Sequence, residues 1–426
     1  MNSSKDSSVI LDRRYKGFPP AAAPCRLAEI ASRRWNILAG DLPFPIAILR
    51  DSCLRHNVGW MQAFARSRGV QIAPHGKTTM SPEIYRRQIE AGAWGISFAT
   101  IYQLGVGLES GIKRALIANQ VVCDADLDGL VAMLGADAEM RVWFLVDSLA
   151  QIAHIENWQA RRGASIRFDC LLEIGIAGKR TGCRTLDEVV KVAARISASP
   201  ALRLGGIECY EGSVAQGDTA HDSAAVGALM QRVVEAAMEC DRCGYFDNDE
   251  VLMTAGGSAL FDLVTGGLLP ALSRPVTGIL RSGCYVTHDH GSYMRLLHKV
   301  EERLERSDSL KPAIEVWAMV QSCPEAGLAI LSCGKRDISY DLELPVALFH
   351  HVPGEAAPRA IAAGWQLTAL NDQHAYLHYP AGQAGPAVGD LIGLGISHPC
   401  TTFDKWRWLP VVDDQYAVVD AVTTRF

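Results

Sequence analysis

The sequence contains no apolar run that approaches a membrane span, and its opening residues, Met1-Asn2-Ser3-Ser4-Lys5-Asp6-Ser7-Ser8, are too polar for a secretory signal. A cytoplasmic location is the default expectation. Positive charge is not in surplus either. The formal net charge of -6 offers no basic field for nucleic acid or anionic lipid, so neither is expected as a partner. The 12 cysteines form no framework of regular spacings, and several lie in apolar words such as Phe168-Asp169-Cys170-Leu171-Leu172, the pattern of reduced, buried thiols. Cys240 and Cys243 have redox or zinc spacing but no second pair, and are read as incidental. A dinucleotide-binding glycine turn is missing as well: Gly105, Gly107 and Gly111 have the wrong spacing.

What is present suits a globular enzyme. Hydrophobic residues make up 49% and charged residues 21%, enough to bury a sizeable core. Residues 27–38 have the pattern of a surface helix. Residues 51–68 read as a long helix with Leu54, Val58, Met61 and Phe64 on one face. Short apolar words then recur at Val70–Ile72, Gly95–Phe98, Ala115–Ala118, Val142–Val146, Cys170–Ile174, Leu204–Glu208, Val251–Thr254 and Val276–Leu280, separated by helix-like segments. Eight strands alternating with helices predict an α/β protein built on a (β/α)8 TIM-like barrel. Near residue 305 the rhythm changes to alternating words punctuated by proline and glycine, which predicts a C-terminal antiparallel β domain. The expected divisions are an N-terminal segment, 1–45, packed on one of the domains, a barrel over 46–305, and a β domain over 306–426.

Two stretches carry chemistry on local grounds. In Pro74-His75-Gly76-Lys77-Thr78-Thr79, Lys77 stands at the carboxyl end of a strand and before a Ser81-Pro82 helix start. Catalytic residues collect at that edge of a barrel, and a lysine held against apolar walls can serve as an imine-forming nucleophile. Gly256-Gly257-Ser258 lies between the seventh strand and a helical word. There backbone N–H groups can approach an anion, and barrel phosphates are often held after strands seven and eight. The eighth strand runs into Arg281-Ser282-Gly283-Cys284-Tyr285, which could add donors. Far downstream, His398 and Cys400 are two residues apart, so that in an extended segment both side chains point to one side; imidazole with thiolate suits zinc, and two protein ligands leave positions open. His288-Asp289-His290 is a rival cluster, read here as a polar loop.

The Lys77 segment resembles the cofactor-binding segment of the alanine-racemase-like, fold-type III pyridoxal-phosphate enzymes, in particular the metal-activated D-serine dehydratase and D-threonine aldolase branch. Residues 172–182, Gly205-Gly206-Ile207-Glu208-Cys209-Tyr210-Glu211-Gly212 and the His398-x-Cys400 pair extend the likeness over about residues 40–410. The resemblance implies that Lys77 bonds to pyridoxal 5'-phosphate and that His75 orients the cofactor or the loop. It also implies that Arg180 and Tyr210 lie against the cofactor, with Tyr210 under the ring nitrogen, while Gly256, Gly257, Ser258 and Tyr285 complete the cofactor site. His398 and Cys400 would hold a divalent metal, with zinc the natural fit. The implied substrate is a small 3-hydroxy D-amino acid such as D-serine or D-threonine, and the implied assembly is a homodimer with one subunit's β domain beside the other's barrel. Cysteine at position 400, where the aldolases tend to carry a carboxylate, points to a dehydratase that forms a 2-oxo acid and ammonia. An aldolase releasing glycine from a D-threonine-type substrate or 3-hydroxy-D-aspartate is the alternative, and a racemase a more distant one. A cofactor carrier without catalysis is disfavoured by the C-terminal domain.

Overall fold

The computed structural model describes residues 9–426. Eight parallel strands, Gln71–Ile72, Ile96–Phe98, Arg114–Gln120, Arg141–Val146, Phe168–Ile174, Leu202–Cys209, Val251–Ala255 and Val276–Leu280, pair in chain order, and the first also pairs with the last. A parallel bridge between His75 and Ser97 closes the ring. Beside it the Trp94 N–H donates to the Ile72 carbonyl at 2.8 Å and the Ser97 N–H to the Pro74 carbonyl at 2.9 Å. These are the eight apolar words of the sequence, in a barrel with a separate antiparallel sheet behind it.

Alternation along the strands sorts the side chains. Ala73, Leu116, Trp143, Leu145, Leu171, Leu252 and Ile279 pack together as one buried cluster, while the neighbouring positions join the larger core beneath the helices. The helices begin where polar residues satisfy their first N–H groups. The Ser148 hydroxyl accepts from the Gln151 N–H, and Thr185 with Glu188 makes a reciprocal capping box worth about 1 kcal/mol. On helix Asp51–Ser67, Leu54, Met61 and Phe64 are buried as expected, with Val58 at the margin.

Three expectations need correction. Residues 27–38 do not form a full helix: a 3-10 segment, Leu27–Arg33, stops at Arg34 in the left-handed region (φ 54°), and Asn36 then bridges to Ala417. Strand Ile46–Arg50 does not open the barrel. It runs antiparallel to Ile314–Glu325 and parallel to Trp408–Val412, because a strand this deeply buried must find backbone partners and the C-terminal sheet supplies them. The barrel therefore starts with helix Asp51–Ser67, five residues later than the sequence suggested. Third, His288-Asp289-His290 is no exposed polar loop. Asp289 is fully buried and accepts from the N–H groups of Gly291, Tyr293 and Met294, at 2.9, 3.1 and 3.2 Å, at the start of helix Ser292–Leu304. The His290 N–H donates to Ile396, which ties the end of the barrel to the β domain.

The N-terminal segment packs on that β domain: the Phe18 ring meets Trp35 and Trp408, and the Trp408 indole donates to the Lys16 carbonyl at 2.8 Å. Among the described residues no helix is long and apolar enough to cross a membrane.

Candidate active site

At the carboxyl end of the barrel, where it faces the β domain, lies a cavity of about 390 Å³. Its walls include His75, Lys77, Arg180, Tyr210, Gly256, Gly257, Ser258, His398 and Cys400. Segments from 75 to 400 thus converge on one space, of a size suited to a cofactor with a small substrate.

Lys77 sits in the 3-10 turn Gly76–Thr78 that follows the first strand. The turn is locked from below, since the Tyr85 hydroxyl donates to the Gly76 carbonyl at 2.7 Å and a side chain at 76 would run into Phe98. Lys77 itself is exposed to the cavity, without a hydrogen-bond or ion-pair partner among the described residues. It is not packed against apolar walls as expected but opens onto the cavity. His75 lies deeper. Burial, aided by the Lys77 and Arg281 charges, holds its imidazole well below the usual histidine range, so it is neutral, and its Nδ1 is buried without a partner.

Arg180 lies over the Tyr210 ring, 4.4 Å from its centre. Burial, then the Glu211 charge, raises the Tyr210 hydroxyl above its usual range, which keeps it a neutral phenol. The glycine turn already holds an anion: the Gly256 and Gly257 N–H groups donate to the Glu211 carboxylate at 3.0 and 2.6 Å. Gly256 needs to be glycine, with φ at +93° and Leu280 where a Cβ would project. The Ser258 hydroxyl accepts from the Cys284 N–H at 3.1 Å.

Tyr285 is the residue that the structure does not bring to the site. Its hydroxyl is bonded to Gln88 at 3.1 Å and its ring is buried in the core rather than in the cavity wall. A 3-10 turn, Cys284–Val286, rotates it away and presents Cys284 to the cavity instead. Sequence reasoning also missed Tyr293, which lines the cavity from the helix capped by Asp289. Arg281 was noted only as a possible donor. It is buried, pairs with Glu208 and donates to the Cys209 carbonyl at 2.9 Å, while its Nε has no partner. Glu208 is fully buried, and that burial, opposed by Arg281, pushes its carboxyl up to about 8.

The β domain contributes His398 and Cys400, though not in the extended form expected. Cys400 is the first residue of a short helix, Cys400–Phe403, and its placement depends on that turn. The His398 Nδ1 is 2.6 Å from the Asp341 carboxylate, an arrangement that fixes the ring and leaves Nε2 for a ligand. Cys400 Sγ is 3.8 Å from Cys284 Sγ and 3.6 Å from the Thr78 hydroxyl. The bonds with Cys284 and Thr78, and the Lys77 charge nearby, lower the Cys400 thiol to about 7 against the cost of burial. Among the described residues no three histidine, cysteine, aspartate or glutamate side chains converge on one metal position. The pair reaches the barrel of its own chain, and this contact needs no second copy. Cys240 and Cys243, like every other cysteine, are free thiols.

These features can be set against known proteins. Residues 313–412 match the family described as putative serine dehydratase domain, and residues 51–267 match the alanine racemase N-terminal domain. D-threonine aldolase of Arthrobacter sp is 27% identical over 87% of this chain and 89% of its own length. D-threo-3-hydroxyaspartate dehydratase of Delftia sp. (strain HT23) is 27% identical over 85% of this chain and 92% of its own. In fold, the crystal structure of D-threonine aldolase from Filomicrobium marinum superposes with a TM-score of 0.75 at 24% identity, covering 94% of this chain and 98% of that one. The lysine-bearing barrel, the glycine turn that seats an anion and the appended β sheet thus have one common explanation: the chain belongs to the alanine racemase N-terminal domain family, the fold-type III pyridoxal-phosphate enzymes.

Proposed function

We propose that this protein is a pyridoxal-phosphate- and metal-dependent lyase that dehydrates 3-hydroxy D-amino acids to 2-oxo acids and ammonia. The observation that carries the reading is the meeting of Lys77 with His398 and Cys400 around one cavity. The site fits the cofactor in three respects: a free lysine amine, the unpartnered buried Nδ1 of His75, and two amide groups already oriented on a carboxylate. Lys77 would hold the cofactor, Gly256, Gly257 and Ser258 its phosphate, and Arg180, Tyr210 and His75 its ring. When bound, pyridoxal phosphate supplies an electron sink for charge released at the substrate Cα. A divalent metal, zinc by its donors, would be held by His398 and Cys400 and would supply Lewis-acid help at the β-hydroxyl.

The side chains divide the proton traffic. The Lys77 amine takes the proton from the substrate Cα. The Tyr293 hydroxyl, raised above its usual range by the neighbouring Cys284 sulfur and by burial, stays protonated and, from the cavity wall, would donate toward a departing hydroxide. A neutral Tyr210 phenol against the cofactor ring keeps the electron sink moderate, which suits elimination of a neighbouring hydroxyl. The Delftia relative, named for dehydration of a hydroxylated D-amino acid, is consistent with this assignment.

A second reading has its own support in the Arthrobacter relative, named an aldolase. There a base takes the β-hydroxyl proton and the Cα–Cβ bond breaks, releasing glycine and an aldehyde. Product analysis with D-threonine, with and without a chelator, decides between them. 2-Oxobutyrate and ammonia, lost on chelation and restored by zinc, are expected; glycine and acetaldehyde would make the enzyme an aldolase.

A further inference from the structure

Cys284 and Cys400 come from opposite domains and meet inside the cavity wall. Cys284 belongs to the turn after the eighth barrel strand, and Cys400 opens the short helix of the β domain. Their sulfurs are 3.8 Å apart, with no side chain between them, and both approach the Thr78 hydroxyl, at 3.8 and 3.6 Å. Neither residue belongs to the main apolar cluster that takes in the remote buried cysteines. Cys170, for example, is fully buried and donates to the Arg203 carbonyl. Of the pair, Cys284 is buried and Cys400 is partly open to the cavity. One residue of the pair is therefore partly open to the cavity and the other stands behind it in contact, which is the arrangement of a reactive cysteine with a resolving partner.

We propose that Cys284 and Cys400 form a reversible oxidation site, in which a hydroperoxide joins the barrel to the β domain by an intramolecular disulfide. The chemistry balances with one peroxide. The Cys400 sulfur attacks a peroxide oxygen, the O–O bond breaks, and a sulfenic acid and one water (from hydrogen peroxide) result. Cys284 sulfur, giving up its proton, attacks the Cys400 sulfur; the S–O bond breaks and the hydroxide leaves as a second water. Two thiols lose two electrons in all, and the peroxide gains them. A dithiol reductant reverses the reaction by exchange. The sulfurs must close from 3.8 Å to about 2.05 Å, within reach of rotations about both Cα–Cβ bonds combined with small adjustment of the two turns.

Formation of the bond is independent of the proposed reaction. Its consequence for turnover rests on that reading, because it would remove Cys400 from the metal position and fix the two sides of the cavity together. Metal at Cys400 would shield the sulfur, so the oxidation belongs to the metal-depleted enzyme.

The test is peptide mapping of the full-length enzyme under non-reducing conditions. Metal-loaded and chelator-treated samples are exposed to one equivalent of hydrogen peroxide, alkylated and digested. The expected result is a linked peptide pair containing Cys284 and Cys400 in the chelated sample, gone after dithiothreitol and scarce in the metal-loaded one. In Cys284→Ser no linked pair forms and dimedone labels Cys400 instead; if that variant fails to fold, the wild-type map alone still decides. Both sulfurs recovered as alkylated thiols in the chelated wild type, or Cys400 carried to sulfinic acid without a link, overturns the proposal. Zinc reloading after oxidation, read by metal content, should fall about tenfold and recover with dithiothreitol. A linked pair with unchanged zinc loading would leave the disulfide standing and count against the metal reading of Cys400.

Discussion

The two halves of the cavity are built differently. On the barrel side Lys77, Tyr210 and Gly256 follow strands held by parallel hydrogen bonding, and Lys77 sits in a turn that Tyr85 and Phe98 brace from beneath. On the β-domain side His398 and Cys400 lie in a turn between strand Leu391–Gly395 and strand Trp408–Val412, oriented by single contacts such as that with Asp341. Backbone geometry fixes the first half, and side-chain bonds fix the second. On the proposed reading the barrel half would hold the cofactor, and the β-domain half would be where reaction type can change by exchange of one or two side chains.

The largest effect should follow from breaking the barrel half. On the proposed reading Lys77→Ala would remove both the cofactor's anchor and the base at Cα, and turnover should fall by at least ~10⁴-fold, the upper range for loss of a general base. Borohydride should then fix no pyridoxyl group to the protein, measured by mass. Turnover that persists within tenfold of wild type would show that the barrel half is not the seat of catalysis.

The β-domain half should break differently. His398→Ala should abolish chelator-sensitive turnover while the visible absorbance of bound cofactor stays, read in one spectrum with a metal assay on the same sample. Loss of cofactor together with metal would mean that the two halves are not separable. Asp341→Asn is a gentler probe. It keeps a hydrogen bond to the His398 ring but removes the charge, and metal affinity should drop by ~10- to 100-fold with the cofactor unaffected. An unchanged metal affinity would make Asp341 a surface partner only.

The same difference decides what could be seen in the sequence. Strand words report backbone demands that recur at a fixed beat, so all eight barrel strands were legible. Strand Ile46–Arg50 fell inside the expected barrel rather than the C-terminal sheet, since its partners begin more than two hundred residues later and nothing local specifies them. Tyr285 failed for a related reason. A string of residues after a strand does not reveal how a 3-10 turn rotates each one, and here the turn sent the tyrosine into the core and set the buried Cys284 against the cavity wall. Glu211 on the glycine amides could have been suspected from its place after Tyr210, because an acid following a strand end beside a glycine turn has donors within reach. Nothing in the sequence marked Tyr293, whose side chain enters the site only because Asp289 caps its helix there.

Where the halves are joined, the buried His288-Asp289-His290 segment allows a finer test of how firmly they are held. Burial lowers the His288 and His290 imidazoles to about 4, and raises the Asp289 carboxyl to about 6. The signs oppose. Each histidine is neutral when folded and readily protonated when unfolded, so its contribution is present above about pH 6.5 and is lost as pH falls toward 4. The Asp289 contribution is complete below pH 3.8 and is lost as pH rises through about 6. With two histidines against one aspartate, the melting temperature should fall as pH drops from 6.5 to 4. His288→Asn removes one of the histidines and suits the left-handed backbone at that position (φ 47°). The variant should lose less stability with acid, by up to about 1.4 kcal/mol per pH unit across that window, while at pH 8 the difference from wild type stays constant. Parallel melting curves for the two proteins between pH 4 and 6.5 would mean that His288 is hydrated enough to protonate in the folded state, and that the seam between barrel and β domain is looser than its hydrogen bonds indicate.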